Sequence, residues 1–133
     1  MYLVDTNIWL ERLLDQEQSE EVGRFLGEVA IDELLITDFT FHSIGVILSK
    51  LGKPEELLSF IQDVFIDGSV GLVSLQPEEM ASVVKVMGTF RLDFDDAYQY
   101  IAAEKYEAVV VSFDSDFDRT ERGRITPAKI LKG

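Results

Sequence analysis

In Tyr2-Leu3-Val4-Asp5-Thr6-Asn7, near the start of the 133-residue chain, three apolar residues are followed at once by an acid. The apolar run predicts a short buried strand, and the helix-compatible residues after it predict a helix that the strand feeds. A second segment of this kind, Val109-Val110-Val111-Ser112-Phe113-Asp114-Ser115-Asp116-Phe117, lies near the other end. In open α/β sheets the ligand crevice lies outside the carboxyl ends of the parallel strands. The sequence therefore predicts that the two acidic segments converge at one edge of a sheet and form a metal site.

Strand-like and helix-like patterns alternate between these segments. Strands are predicted at 34–36, 70–75 and 108–112, with a short final strand near Ile125. Helices are predicted at 19–30 and 40–51, from Pro54 onward, from Pro77 onward, up to Tyr106 and after Pro127, and Gly52 is placed to end the second of these. This alternation predicts an α/β fold with three α/β/α layers around a central parallel sheet of about four or five strands. We expect one domain over residues 1–133.

The composition limits the kinds of function. The chain is 47% hydrophobic, with no apolar run long enough to cross a membrane and no signal-peptide pattern, so we expect a cytoplasmic protein with a sizeable core. It has no cysteine and one histidine, which excludes disulfides, thiolate sites and multi-histidine zinc sites. A bound metal would have oxygen ligands, which suits Mg²⁺ or Mn²⁺.

The net charge of −13 argues against a broad basic surface for nucleic acid. Bound divalent cations would, however, supply local positive charge. Five of the twelve basic residues also follow the last acidic segment and would provide a small basic rim: Arg119, Arg122, Arg124, Lys129 and Lys132.

A third acidic cluster stands where the helix before Tyr106 begins. Asp93, Asp95 and Asp96 supply more acid than capping that helix requires, although a solvated helix start explains the first two equally well. Asp96 is the candidate ligand. Asp114 and Asp116 would face the same side if the strand stays extended, which would let both carboxylates hold one cation.

Taken together, these segments resemble the PIN-domain family, and most closely its single-domain, VapC-toxin-like ribonucleases. The resemblance lies in Asp5-Thr6-Asn7 after the first strand, Asp96-Ala97 opening a helix, and Ser112-Phe113-Asp114-Ser115-Asp116-Phe117. It covers nearly the whole chain, from Tyr2 to about Leu131.

The resemblance implies a metal-dependent endoribonuclease that hydrolyses RNA phosphodiester bonds, as the toxin of a VapBC-type pair. Asp5, Asp96 and Asp114 would be catalytic and would bind Mg²⁺ or Mn²⁺ together with Asp116. The implied partners are the RNA substrate, a VapB-like antitoxin and a second copy of the chain in a homodimer, with no membrane.

One family feature is absent. The family's second acid, usually a Glu, should fall near His42 or Ser43, and neither residue is acidic. His42 is a candidate substitute, since a neutral imidazole can bind a metal or orient water. The alternative is a catalytically degenerate PIN domain that acts as a binding or scaffold module. Less well matched are a phosphatase, which would need Asp-x-Asp where Asp5-Thr6-Asn7 stands, and a receiver-like phospho-acceptor.

Overall fold

A sheet of four short parallel strands forms the centre of the molecule in the computed structural model, which describes residues 1–133. The strands are β1 (Tyr2–Val4), β2 (Leu34–Thr37), β3 (Gly71–Val73) and β4 (Val109–Val111). Their order is β3-β2-β1-β4, so the first and last strands are neighbours. The register pairs Val4 with Val111, and a further parallel bridge joins Val111 to Ile125. The predicted parallel sheet is confirmed.

Seven α-helices cover the two faces of this sheet. They are α1 (Thr6–Leu13), α2 (Ser19–Glu28), α3 (Asp38–Lys50), α4 (Pro54–Ile61), α5 (Met80–Phe90), α6 (Phe94–Lys105) and α7 (Pro127–Lys132). The core on one face draws on α5 and α6, and the core on the other face draws on the remaining five helices. This is the predicted three-layer α/β/α arrangement. None of the helices combines the length and the apolar character that a membrane crossing requires.

Apart from Thr37 at the end of β2, the strand residues are apolar or aromatic on both faces, because both faces of the sheet pack against helices. Along β1, Leu3 packs into the α5–α6 core and Val4 packs into the opposite core. Along β4, Val110 and Val111 divide in the same way. Alternate side chains therefore fix the register of the two strands whose ends carry the acidic segments.

Side-chain caps hold the helix starts that follow these strands. Asp5 caps α1, Thr37 caps α3 by accepting from the Thr40 N–H at 3.0 Å, and Asp93 caps α6. Gly52, with φ of 68°, follows the end of α3 as predicted. The structure differs at Pro77, which begins a 3₁₀ turn before α5 starts at Met80.

Candidate metal centre

An acidic cavity of about 310 Å³ lies beyond the carboxyl end of β1, beside the start of α6. Its lining includes five aspartates: Asp5, Asp93, Asp95, Asp96 and Asp114. They come from three separate parts of the chain, and the parallel sheet and its crossovers bring them together. The cavity is therefore the predicted meeting point of the acidic segments.

Asp5 is held in one orientation by four hydrogen bonds. Its Oδ1 accepts from the Thr6 N–H at 2.8 Å and from Gln99 Nε2 at 3.0 Å. Its Oδ2 accepts from Ser112 Oγ at 2.7 Å and from Asn7 Nδ2 at 3.4 Å. Burial raises the pKa of the Asp5 carboxyl, and the hydrogen bonds from Ser112, Gln99 and Thr6 oppose that rise. Asp5 thus serves as helix cap and as a fixed carboxylate facing the cavity.

Ser112 and Asn7 tie the end of β4 to the start of α1. Ser112 Oγ also accepts from Asn7 Nδ2 at 3.1 Å and from the Asp114 N–H at 2.9 Å. Asn7 Oδ1 accepts from the Phe113 N–H at 3.2 Å. The position of Asp114 relative to Asp5 is therefore set by hydrogen bonds in addition to strand pairing.

Asp96 lies in the first turn of α6 and is 9% exposed. Burial, together with the hydrogen bond and negative charge of Asp114, raises the pKa of Asp96 to about 8, and the charges on Asp93 and Asp5 act in the same direction. No cationic side chain lines the cavity. A carboxylate cluster of this kind is stabilised when a cation neutralises it.

Asp116 lies at the edge of this cluster. One carboxylate oxygen from each of Asp96, Asp114 and Asp116 lies within 4.8 Å of the other two. The strand does not stay extended over 114–116, the condition under which both carboxylates would face the same side, because Asp114 Oδ1 accepts from the Asp116 N–H at 2.8 Å and a 3₁₀ turn, Ser115–Arg119, follows. Asp116 Oδ1 in turn accepts from Arg119 Nη1 at 2.9 Å.

The structure brings together Asp5, Asp96 and Asp114, with Asp116 beside them, but it does not bring His42 to the acidic cavity. His42 is exposed on the outer side of α3, where it borders other cavities. The next residue, Ser43, lines the acidic cavity. The region where the resemblance calls for a second acid thus presents a hydroxyl to the site.

Gln99 is the site residue that the sequence did not single out. It is 1% exposed on α6, one turn after Asp96. Its amide donates to Asp5 and to Thr40 Oγ1, and its carbonyl accepts from Thr37 Oγ1 at 2.8 Å. The only sequence feature that could have identified Gln99 is its position as a lone amide among apolar helix residues. A buried amide needs polar partners, so its presence there indicates a polar site nearby.

The predicted basic rim is largely used within the fold. Arg119 donates to the Phe90 carbonyl at 2.9 Å, to the Arg91 carbonyl and to Asp116. Arg122 donates to the Ala108 carbonyl at 2.8 Å. Arg124 donates to Asp118 with two nitrogens and to the Ser112 carbonyl. These three guanidinium groups stabilise the segment after β4.

The donor set fits a hard divalent cation such as Mg²⁺ or Mn²⁺. All the candidate ligand atoms are oxygens, and no thiolate or imidazole lies in the cavity. Asp5, Asp96 and Asp114 would hold the metal, with Asp116 at the periphery.

Known proteins share both the sequence pattern and the fold. The PIN domain family profile matches residues 2–123. A toxin–antitoxin complex from Klebsiella pneumoniae contains a chain with a TM-score of 0.77 at 17% identity, over 96% of this chain and 98% of that one. FitAcB from Neisseria gonorrhoeae has a TM-score of 0.74 at 19% identity, over 96% of this chain and 99% of that one. PAE2754 from Pyrobaculum aerophilum has a TM-score of 0.69 at 20% identity, over 98% of this chain and 92% of that one. No curated protein sequence matches the chain.

Proposed function

Because the chain belongs to the PIN domain family, whose members are generally nucleases, we propose that it is a metal-dependent endoribonuclease that hydrolyses RNA phosphodiester bonds. The observation that carries this proposal is the cluster of Asp5, Asp96 and Asp114 in a cavity without basic residues. Asp5 and Asp114 also cap the turns that follow them, but neither they nor Asp96 is paired with a cationic side chain, and all three line the same cavity.

The residues around the cluster are suited to phosphodiester hydrolysis. Divalent cations at such a site lower the pKa of bound water towards neutrality and neutralise charge on a phosphate. Asp5 cannot rotate away, because both of its oxygens already accept hydrogen bonds from fixed donors. Ser112 and Gln99 thereby preorganise the carboxylate, and no nucleophilic side chain is needed for attack by water.

The direct test is cleavage of a labelled single-stranded RNA by purified protein with Mg²⁺, Mn²⁺ or chelator. We expect cleavage with either metal, none in chelator, and a loss of at least about a hundredfold in Asp96→Asn, since metal ligands act through the cation they hold. The matched control is Asp67→Asn, which changes an acid after α4 that accepts from Gln62. A contaminating ribonuclease would cut equally in both variants.

The second candidate function is a binding module without catalysis. Ser43 favours it, because this residue lines the cavity in the region where the family's second acid is expected. The same assay separates the two functions. Absence of cleavage with every metal, from protein that binds Mn²⁺ by calorimetry, would favour the binding module. Restoration of activity by Ser43→Glu would identify the missing acid as the cause.

We also propose a VapB-like antitoxin as partner and a homodimeric assembly. A cavity of about 420 Å³ is bordered by α1, α2 and α4, with Trp9 and Phe60 in its floor and Glu55, Glu56 and Asp63 at its edge. Apolar anchors surrounded by acids suit an amphipathic segment with basic residues. The Klebsiella pneumoniae chain of the same fold comes from a toxin–antitoxin complex, which supports this choice of partner.

A further inference from the structure

Three aromatic rings form a row beside the acidic cavity: Phe39, Tyr98 and Phe94. The Phe39 and Phe94 ring centroids each lie 6.1 Å from that of Tyr98, which stands between them. Phe39 lines the acidic cavity, and Phe94 lies between Asp93 and Asp95, which also line it. Phe39 therefore borders the candidate metal centre, and the backbone of Phe94 lies between two residues that line the same cavity.

Within the ring row, the central Tyr98 is fixed by hydrogen bonds and Phe94 at one end is partly exposed to solvent. Tyr98 is 6% exposed, its hydroxyl donates to Asp38 Oδ1 at 2.8 Å, and it accepts from the Leu75 N–H at 2.9 Å. Phe94 is 42% exposed, although its ring packs against Tyr98. The solvent-facing part of the Phe94 ring is therefore available to stack on another aromatic ring.

Electrostatics restricts how RNA can approach this site. The acidic cavity repels phosphate, and the guanidinium groups of Arg119, Arg122 and Arg124 are already hydrogen-bonded within the fold. Base stacking on an aromatic ring is independent of phosphate charge and tolerates any base sequence. Stacking on the ring row would therefore contribute binding energy to RNA that does not depend on a basic surface.

A second cavity, of about 490 Å³, adjoins the row. It is bordered by Asp38, Phe39, His42 and Tyr98. A carboxylate and an imidazole beside two aromatic rings supply hydrogen-bonding groups for the edge of a base as well as a surface for its face.

We propose that the ring row, with Phe94 as its exposed contact, stacks an unpaired nucleobase next to the phosphate that occupies the metal centre. The inference rests on the proposed function and adds a base contact to it. The stacked base must lie outside a duplex, because neighbouring bases cover both of its faces there. Phe94 is then a substrate-positioning residue for the reaction.

The test measures equilibrium binding of a short labelled single-stranded RNA by fluorescence anisotropy. Calcium replaces magnesium, and gels confirm that the RNA stays intact. We expect Phe94→Leu, which keeps an apolar side chain but loses the ring, to weaken binding about tenfold, and Phe94→Trp to retain it. The control is Leu58→Ala, which truncates a side chain that is 66% exposed on α4; its binding should match the wild type.

A second arm uses RNAs in which each nucleotide in turn lacks its base. At one position, loss of the base should abolish the difference between the wild type and Phe94→Leu. Equal RNA binding by the wild type and Phe94→Leu would overturn the proposal. This conclusion holds even if sedimentation shows that the two proteins differ in oligomeric state. The cleavage assay tests the proposed function separately. If the wild type binds RNA through Phe94 but does not cleave it, the nuclease proposal fails and the base-stacking proposal stands.

Discussion

Asp96 is a buried acid whose close charged neighbours are other acids. Burial and Asp114 together raise its pKa to about 8, far from the ordinary value of 3.8. The free energy of unfolding must therefore depend on pH and on bound cations. A divalent metal at the proposed site would compete with protons for the same carboxylate oxygens.

Without metal, the protein should lose stability as the pH rises from about 4 to about 8. In this interval the folded state binds more protons than the unfolded state, because the folded pKa of Asp96 is the higher one, so the free energy of unfolding falls with rising pH. Thermal unfolding in chelator measures this decline. Asp96→Asn should flatten it, and Mg²⁺ should raise the midpoint more at pH 8 than at pH 5. A midpoint in chelator that rises over this interval would contradict the assignment.

Gln99 should contribute to both folding and activity. Gln99→Leu removes one hydrogen bond from each of the Thr37 hydroxyl, the Thr40 hydroxyl and Asp5 Oδ1, which should cost about 3 kcal/mol in urea unfolding. The exposed Gln62→Leu is the comparison and should change stability by less than about 0.5 kcal/mol. If the two substitutions cost the same, the hydrogen bonds of Gln99 do not support the site.

Asp5 could be identified as a site residue from its local sequence, whereas Gln99 could not. Asp5, Asp96 and Asp114 each follow a strand or begin a helix, so the rule for parallel sheets predicts from sequence that they lie together, as they do in the acidic cavity. Gln99 bonds to residues 59 to 94 positions away, and no local pattern encodes such partners. The resemblance was confirmed by the family match, while the roles of the individual acids stay predictions.

Helix α6 and its cap contribute three of the five aspartates that line the acidic cavity, together with Gln99. Its cap at Asp93, the acid at Asp96 and the amide at Gln99 follow one another at intervals of three residues, which places them on one side of the helix. The start of α6 was predicted correctly from its acids. The 114–116 segment does not stay extended, because an Asp side chain that accepts from the backbone two residues later turns the chain.

The helix-capping hydrogen bond of Asp93 and its negative charge should make separable contributions to stability and cleavage. Asp93 Oδ1 accepts from the Asp96 N–H at 2.9 Å, so Asp93→Ala should cost about 1 kcal/mol and loosen the backbone that carries Asp96. Asp93→Asn retains the cap and removes only charge. We therefore expect the alanine variant to lose both stability and RNA cleavage relative to the asparagine variant, as measured by urea unfolding and initial rates. Equal loss in both would assign the effect to charge.

At the scale of the entire protein, a net charge of −13 opposes any polyanion. The sequence predicted a free basic rim after β4. The arginines there instead donate to backbone carbonyls and to Asp116 and Asp118, and such internal partners cannot be identified from sequence. Binding of RNA should then depend on the metal centre and on uncharged contacts.

RNA binding should consequently require divalent cations. We expect affinity for single-stranded RNA, measured by anisotropy, to fall at least about tenfold when chelator replaces Ca²⁺, because the bound ion is the main local positive charge. Asp96→Asn should bind weakly in both conditions, which serves as the control. Equal binding by the wild type in chelator would mean that a basic surface elsewhere holds the RNA.

The hydrogen bond between Ser112 and Asp5 joins residues 107 positions apart. A ribosome adding roughly 5 to 20 residues per second needs several seconds to make the stretch between them. Throughout that time the nascent chain carries Asp5 without the serine and the last acids that complete its surroundings. If the chain does cut RNA, it cannot do so while most of it is still being made, and the messenger and ribosome producing it are spared until synthesis has passed Asp114.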